Sequence, residues 1–288
     1  MAEPDFKNLN QTIKSSGAAW IAAKTSHSKY WGLPASTSLF GLALDPEKAL
    51  AESLAARRTE PRRMMAVAPP PKRVDWRSSK NKNYVTPVRD QGSCGACVSF
   101  ATCAVLESRS LIATGKPGVD LDLSEAHLFF CGTKNACAVG WTYEPAMAFA
   151  KKNGVGKEAD FPYTPGNQAC RAIDPVVKVK TYTGWASTMA RKQALTRGPV
   201  VGGLQVFGDF YAYAGGVYQH VGGDFVGWHA VAIVGYDDVA GCWIAKNSWG
   251  TGWGELGFFR IAYGDCGIDN KVMFYEPEVR VLAGAGLA

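Results

Sequence analysis

The alternation of apolar and polar positions changes character twice along this chain. Residues 45–58 start with an aspartate and a first-turn proline, continue through good helix formers and end on two arginines, which predicts a helix matched to its own dipole. Residues 1 to about 60 thus read as two helical pieces around a loop. Residues 60–73 contain Pro61, Pro69, Pro70 and Pro71 among four basic residues, and read as an extended, protease-accessible linker. From Val74 the apolar density rises. Residues 97–114 have few breakers before Gly115, a pattern for a buried helix with a glycine cap. Ser124 can cap a second helix through Cys131, residues 145–152 suit a third, and residues 187–197 a fourth that stops at Gly198-Pro199. Beyond Pro199, short apolar runs at 200–206, 229–236, 242–247 and 257–262 are separated by Gly and Asp and read as strands. Helices dominate the first half and strands the second, an α+β arrangement.

Composition narrows this picture. With 288 residues, 47% of them hydrophobic and 19% charged, the chain can bury one large or two modest cores and is not disordered as a whole. The net charge of +6 is scattered, with short clusters at Arg57-Arg58, Arg62-Arg63 and Lys72-Arg73, and no basic stripe interleaved with aromatics predicts a nucleic-acid partner. No run of 18 apolar residues predicts a membrane span. Eight cysteines favour an oxidising compartment: extracellular, periplasmic or lysosome-like. The residues after Met1 hold no apolar core of signal-peptide length, so the compartment stays open.

The chemistry is concentrated in Gln91-Gly92-Ser93-Cys94-Gly95-Ala96-Cys97, at the start of the apolar helix. Of four histidines, His229 lies 132 residues after Cys97 (229 − 97), and Asn247 lies 150 after it (247 − 97) within Lys246-Asn247-Ser248-Trp249-Gly250. A thiol, an imidazole and an amide supply a nucleophile, its base and a group to orient the base. The helix start favours the thiolate. Cys94-x-x-Cys97 alone also fits a redox pair, or a zinc site with Cys131 and Cys137, but neither accounts for Gln91, His229 and Asn247 together.

These motifs resemble the papain and cathepsin family of cysteine peptidases, from about Val74 to about Pro277. The resemblance implies a helical left lobe and a β-barrel-like right lobe, with Cys97 and His229 facing each other across a cleft that takes peptide or protein substrates without a cofactor. It implies a resting thiolate–imidazolium pair, Asn247 orienting the ring, Trp249 shielding that contact, and Gln91 with the Cys97 N–H as oxyanion donors. Disulfides Cys94–Cys137 and Cys131–Cys170 follow from the same source. Substrate would meet Gly95, Val139, Gly140, Thr142, Gly203 and Trp228. Lys271 would form the floor of the main specificity pocket, with Gly227 and Ala230 on its walls, and Trp253 would wall the leaving-group side. The chain departs from the pattern at Val98, where the family has an aromatic ring, and at Ala138-Val139, where Val139 narrows the approach. Cys266 lacks its usual partner; Cys103 and Cys242 read as buried hydrophobes. His127 and His220 read as structural or surface residues, and His27 lies outside the globular region.

The implied organisation is an inhibitory prosegment and linker at 1–72 lying in the cleft, a peptidase domain at 73–277 and a tail at 278–288. Ala19-Trp20 followed by Leu39-Phe40-Gly41 is nearer the short cathepsin B type of prosegment. No occluding loop is visible between Cys131 and Cys137, which favours an endopeptidase, expected as a monomer. Acyl transfer to an amine, or a catalytically quiet peptide-binding or regulatory protein, are the alternatives.

Overall fold

The structure is a computed structural model that describes residues 4–32, 39–64, 68–134 and 137–287. Asp5 opens α1 (Phe6–Ser15), its carboxylate accepting the N–H groups of Lys7 and Asn8 at 3.1 Å each. A short strand, β1 (Ala19–Ala22), follows. Asp45 starts α2 (Pro46–Met64) in the same way, accepting from Glu47 and Lys48 at 3.0 and 3.1 Å. The helix does not stop at Arg58: it runs on to Met64 through Pro61, so the first part of the expected extended linker is helical. Pro61 lies in the last turn, where its missing N–H forfeits a single bond. Glu60 anchors this end, buried and accepting the backbone N–H groups of Ala186 and, at 2.9 Å, Ser187.

After β2 (Arg73–Asp75) comes α3 (Cys97–Thr114), closed by Gly115 in the left-handed region at φ 66°. By length and composition α3 could cross a membrane, yet 78% of it is buried inside the protein, where it serves as the central core helix. Ser124 caps α4 (Glu125–Gly132) by accepting the His127 N–H at 2.9 Å, and α5 (Tyr143–Lys152) packs beside it. After β3 (Val177–Trp185), Ser187 caps α6 (Thr188–Arg197). The remaining strands are β4 (Val200–Phe207), β5 (Tyr213–Tyr218), β6 (Phe225–Asp237), β7 (Cys242–Lys246), β8 (Phe258–Ala262) and β9 (Phe274–Val281).

These form a nine-stranded sheet in the order β1-β5-β8-β7-β6-β4-β9-β3, with β2 added to β6. The β5–β8 pair is parallel and the others are antiparallel. One core gathers α3, α4 and α5; the other fills the curved sheet with aromatics that include Trp243, Trp249 and Trp253. The N-terminal segment enters both: Leu42 lies in the first, and Ile13, Trp20 and Leu39 in the second. The tail drawn at 278–288 is not separate either. β9 continues past Pro277 to pair Val281 with Val177, and Ala285 and Leu287 are buried in the helical core. Disulfides join Cys94 to Cys137 and Cys131 to Cys170.

Candidate active site

Cys97 is the first residue of α3, in the helical lobe. His229 lies in β6, and Asn247 directly follows β7; the pairing of these two strands brings the ring and the amide together. His229 Nε2 is 2.7 Å from Asn247 Oδ1, which also accepts the Ser248 N–H at 2.8 Å. The buried Trp249 ring covers this contact, its centroid 5.0 Å from that of His229. Across the lobe boundary the Ala230 N–H donates to Cys97 Sγ at 3.4 Å. Gln91 also ties the lobes: its Oε1 accepts from Ser248 Oγ at 2.6 Å, and its Nε2 donates to Cys94 O at 2.8 Å and Leu39 O at 3.0 Å.

The last contact shows what fills the cleft. The Trp141 N–H donates to Gly41 O at 2.7 Å, the Ala43 N–H to Trp141 O at 2.9 Å, and the Leu42 N–H to Trp228 O at 3.4 Å. Leu42 and Trp141 form a parallel bridge. Gly41 is glycine for a reason of space: a Cβ there would lie 1.7 Å from Gly95 O. The N–H groups of Gly41 and Ala230 are directed at Cys97 Sγ, while the Leu39 carbonyl takes the Gln91 amide. The thiol therefore faces backbone N–H donors from both the N-terminal segment and β6.

Burial by this segment decides the charge state. Desolvation pushes the Cys97 thiol up to about 11, although the Ala230, Gly41, Val98 and Cys97 N–H groups pull the other way. Desolvation lowers His229 to about 4 against the favourable Asn247 contact. The covered pair is thus neutral, in contrast to the ion pair expected from the resemblance. Two charges taken out of water need more compensation than these few contacts supply.

Other expected site residues fall into three groups. Gly95 and Gly140 both touch Gly41, Trp228 meets Leu42 through its carbonyl, Thr142 precedes α5, and Val139 is exposed. Gly203 lies under Leu42: a Cβ there would be 2.9 Å from Leu42 Cδ2 and 2.1 Å from Tyr143 Oη. Two positions differ from expectation. Lys271 does not floor this pocket; it is exposed and donates to Gln205 Oε1 at 3.0 Å, because an ammonium keeps its hydration by reaching to the surface. Trp253 does not wall the cleft; it is fully buried behind Trp249, with its Nε1 donating to Phe210 O at 3.1 Å. Tyr143 and Tyr211 were not singled out from the sequence, and Gly227 faces Phe40 rather than Leu42. His27 stacks on Trp249, with centroids 4.7 Å apart and planes 9° apart. No sequence pattern marks these residues, since they meet only through the fold. Cys103, Cys242 and Cys266 are free and buried.

A family profile described as Papain family cysteine protease matches residues 70–275. Cysteine proteinase 1 of Entamoeba histolytica is 38% identical over 218 residues, covering 71% of this chain and 68% of that protein. Pro-cathepsin H of Mus musculus is 35% identical, covering 75% and 68%. The structure of digestive procathepsin L2 proteinase from Tenebrio molitor larval midgut superposes with a TM-score of 0.77 at 26% identity, covering 94% of this chain and 88% of that one. The chain belongs to the papain family of cysteine proteases. It has the family's two-lobe fold and is a cysteine endopeptidase made as a proenzyme.

Proposed function

We propose that Cys97 is the nucleophile, His229 its general base and acid, Asn247 the residue that orients the imidazole, and Gln91 with the Cys97 N–H the oxyanion donors. With the cleft open, Cys97 transfers its proton to His229 and the thiolate attacks the scissile carbonyl. His229 then protonates the leaving amine, and an acyl-enzyme remains. Water, deprotonated by His229, hydrolyses it. Because His229 serves the leaving amine, the leaving half of a substrate lies on the His229 side and the acyl half extends toward the pocket of Leu42. The N-terminal segment runs the other way, with Phe40 at His229 and Leu42 in the pocket. That reversal is the observation that carries the reading: the segment fills the cleft without presenting a cleavable bond to Sγ.

Residues 1–72 act as the inhibitor, and activation requires a cut between Met64 and Arg73, after α2. Leu42 further indicates an apolar preference at the second residue before the scissile bond, with Tyr143 in the role once expected of Lys271. Labelling of Cys97 by an epoxide inhibitor, before and after limited proteolysis in that interval, tests the reading. Labelling is expected only after the cut; none in either state would refute the peptidase roles.

A further inference from the structure

We infer that Gly227 is a specificity determinant on the leaving-group side of the cleft, where its missing side chain opens a pocket for an aromatic ring on the residue just after the scissile bond. This rests on the peptidase reading above, which puts the leaving residue beside His229. The pocket is occupied here by Phe40 of the N-terminal segment. A Cβ built on Gly227 would lie 2.7 Å from Phe40 Cβ and 2.8 Å from Phe40 Cγ, so any larger residue would take the ring's place.

The backbone does not demand glycine there. Gly227 is an ordinary strand residue of β6, paired with Val206, and its φ is not in the left-handed region. Its consequence is therefore space. The walls are aromatic: Phe40 meets Tyr211 at 6.1 Å, His229 at 6.1 Å edge-on, and Trp249 at 6.3 Å edge-on. Tilted and edge-to-face arrangements at these separations favour a flat ring over a branched or charged group. The His229 ring is itself one of the walls, so a filled pocket also keeps water from the imidazole during acylation.

The test uses the full chain after activation, with quenched fluorescent peptides that hold leucine two residues before the cut and vary the residue after it. Phe, Tyr and Trp are expected to exceed Ala and Asp by roughly tenfold or more in kcat/KM, the scale a shaped pocket can supply. Gly227→Val should erase that ratio while the leucine preference on the acyl side stays unchanged. Gly227→Ala, a smaller change with the same strand geometry, should reduce the ratio and guards against loss of folding in the valine variant. A flat wild-type profile, or an aromatic preference that survives both substitutions, would overturn the inference while leaving the peptidase reading intact. Failure to cleave any peptide would overturn both.

Discussion

At the residue scale, the contacts of Gln91 are the most exposed to test. Its amide holds the Leu39 carbonyl in the proenzyme, and the proposed role requires the same amide to donate to the developing oxyanion. Gln91→Ala should lower kcat of the activated enzyme roughly 10²–10³-fold, as removal of one such donor does; an unchanged kcat in single-turnover assays would remove Gln91 from the oxyanion role. Lys271→Ala should leave the acyl-side preference as it is, since the lysine is exposed and its amine is engaged by Gln205 Oε1. A peptide library profile shifted by that substitution would return lysine to the pocket. Cys97, His229, Asn247 and Gln91 are legible from sequence as candidates, because fixed local motifs carry them, and the fold brings them together. Tyr143, Tyr211 and the true neighbour of Gly227 are not legible, because a pocket wall is assembled from strands and helices far apart in the chain. His27 lies outside the region that the sequence marks as globular, yet it is buried against Trp249.

At the element scale, the N-terminal segment is held at several separate places, and one of them responds to pH. His27 is stacked flat on Trp249, with Lys29 and His229 as the charged or titratable groups that bear on it. Burial, then Lys29, lowers its pKa to about 4. The docked value is below the ordinary one, so His27 supports docking fully above about pH 6.5 and loses that support as pH falls toward 4. The loss reaches about 3 kcal/mol at most, less whatever a protonated ring regains over the indole face. His27→Phe keeps the stack and removes the titration. Cys97 labelling of the uncut chain, followed from pH 7 to 4, should then show a shallower acid rise; an identical curve would exclude His27 as a sensor. A second hold is Glu60 on the N–H groups of Ala186 and Ser187. Glu60→Ala should leave those donors unpaired and destabilise the proenzyme by about 1–3 kcal/mol, read as a lower Tm, with no effect on the activated enzyme's kcat. Most helices were legible from caps and breakers. β9 is not among the strands that the sequence predicts, and the domain boundary expected at Pro277 falls inside it. The register pair joining β9 to β4 is Val201↔Tyr275, so farther along β9 is bonded on one side, where a missing N–H costs little.

At the scale of the whole molecule, the lobes meet through polar side chains as well as through the cleft. Lys246 of β7 donates to Thr86 Oγ1 at 3.0 Å, and that hydroxyl donates to Glu107 of α3. All three are buried, and Lys246 directly precedes Asn247. Lys246→Met should therefore loosen the register between Cys97 and the His229–Asn247 pair and leave Glu107 uncompensated, costing about 3–5 kcal/mol in chemical denaturation. A variant as stable as wild type would show the bridge to be dispensable. The sequence could suggest two halves from the shift of pattern near Pro199; it could not show that residues before the first half are threaded through both.

One consequence lies in the strand Ala19–Ala22. It is an edge strand of the sheet, laid along Tyr213–Tyr218 with Trp20 buried between Tyr213 and Tyr218. Cutting the chain breaks no hydrogen bond of that seam; it only removes the tether. Before the cut the strand is held at a local concentration of about millimolar order; afterwards it must find its edge at whatever concentration the surroundings allow. Maturation is then governed by dilution as much as by proteolysis. In a confined volume the cleaved segment would go on occupying its seam, and an enzyme released into a larger one would be left with an open sheet edge and a working site.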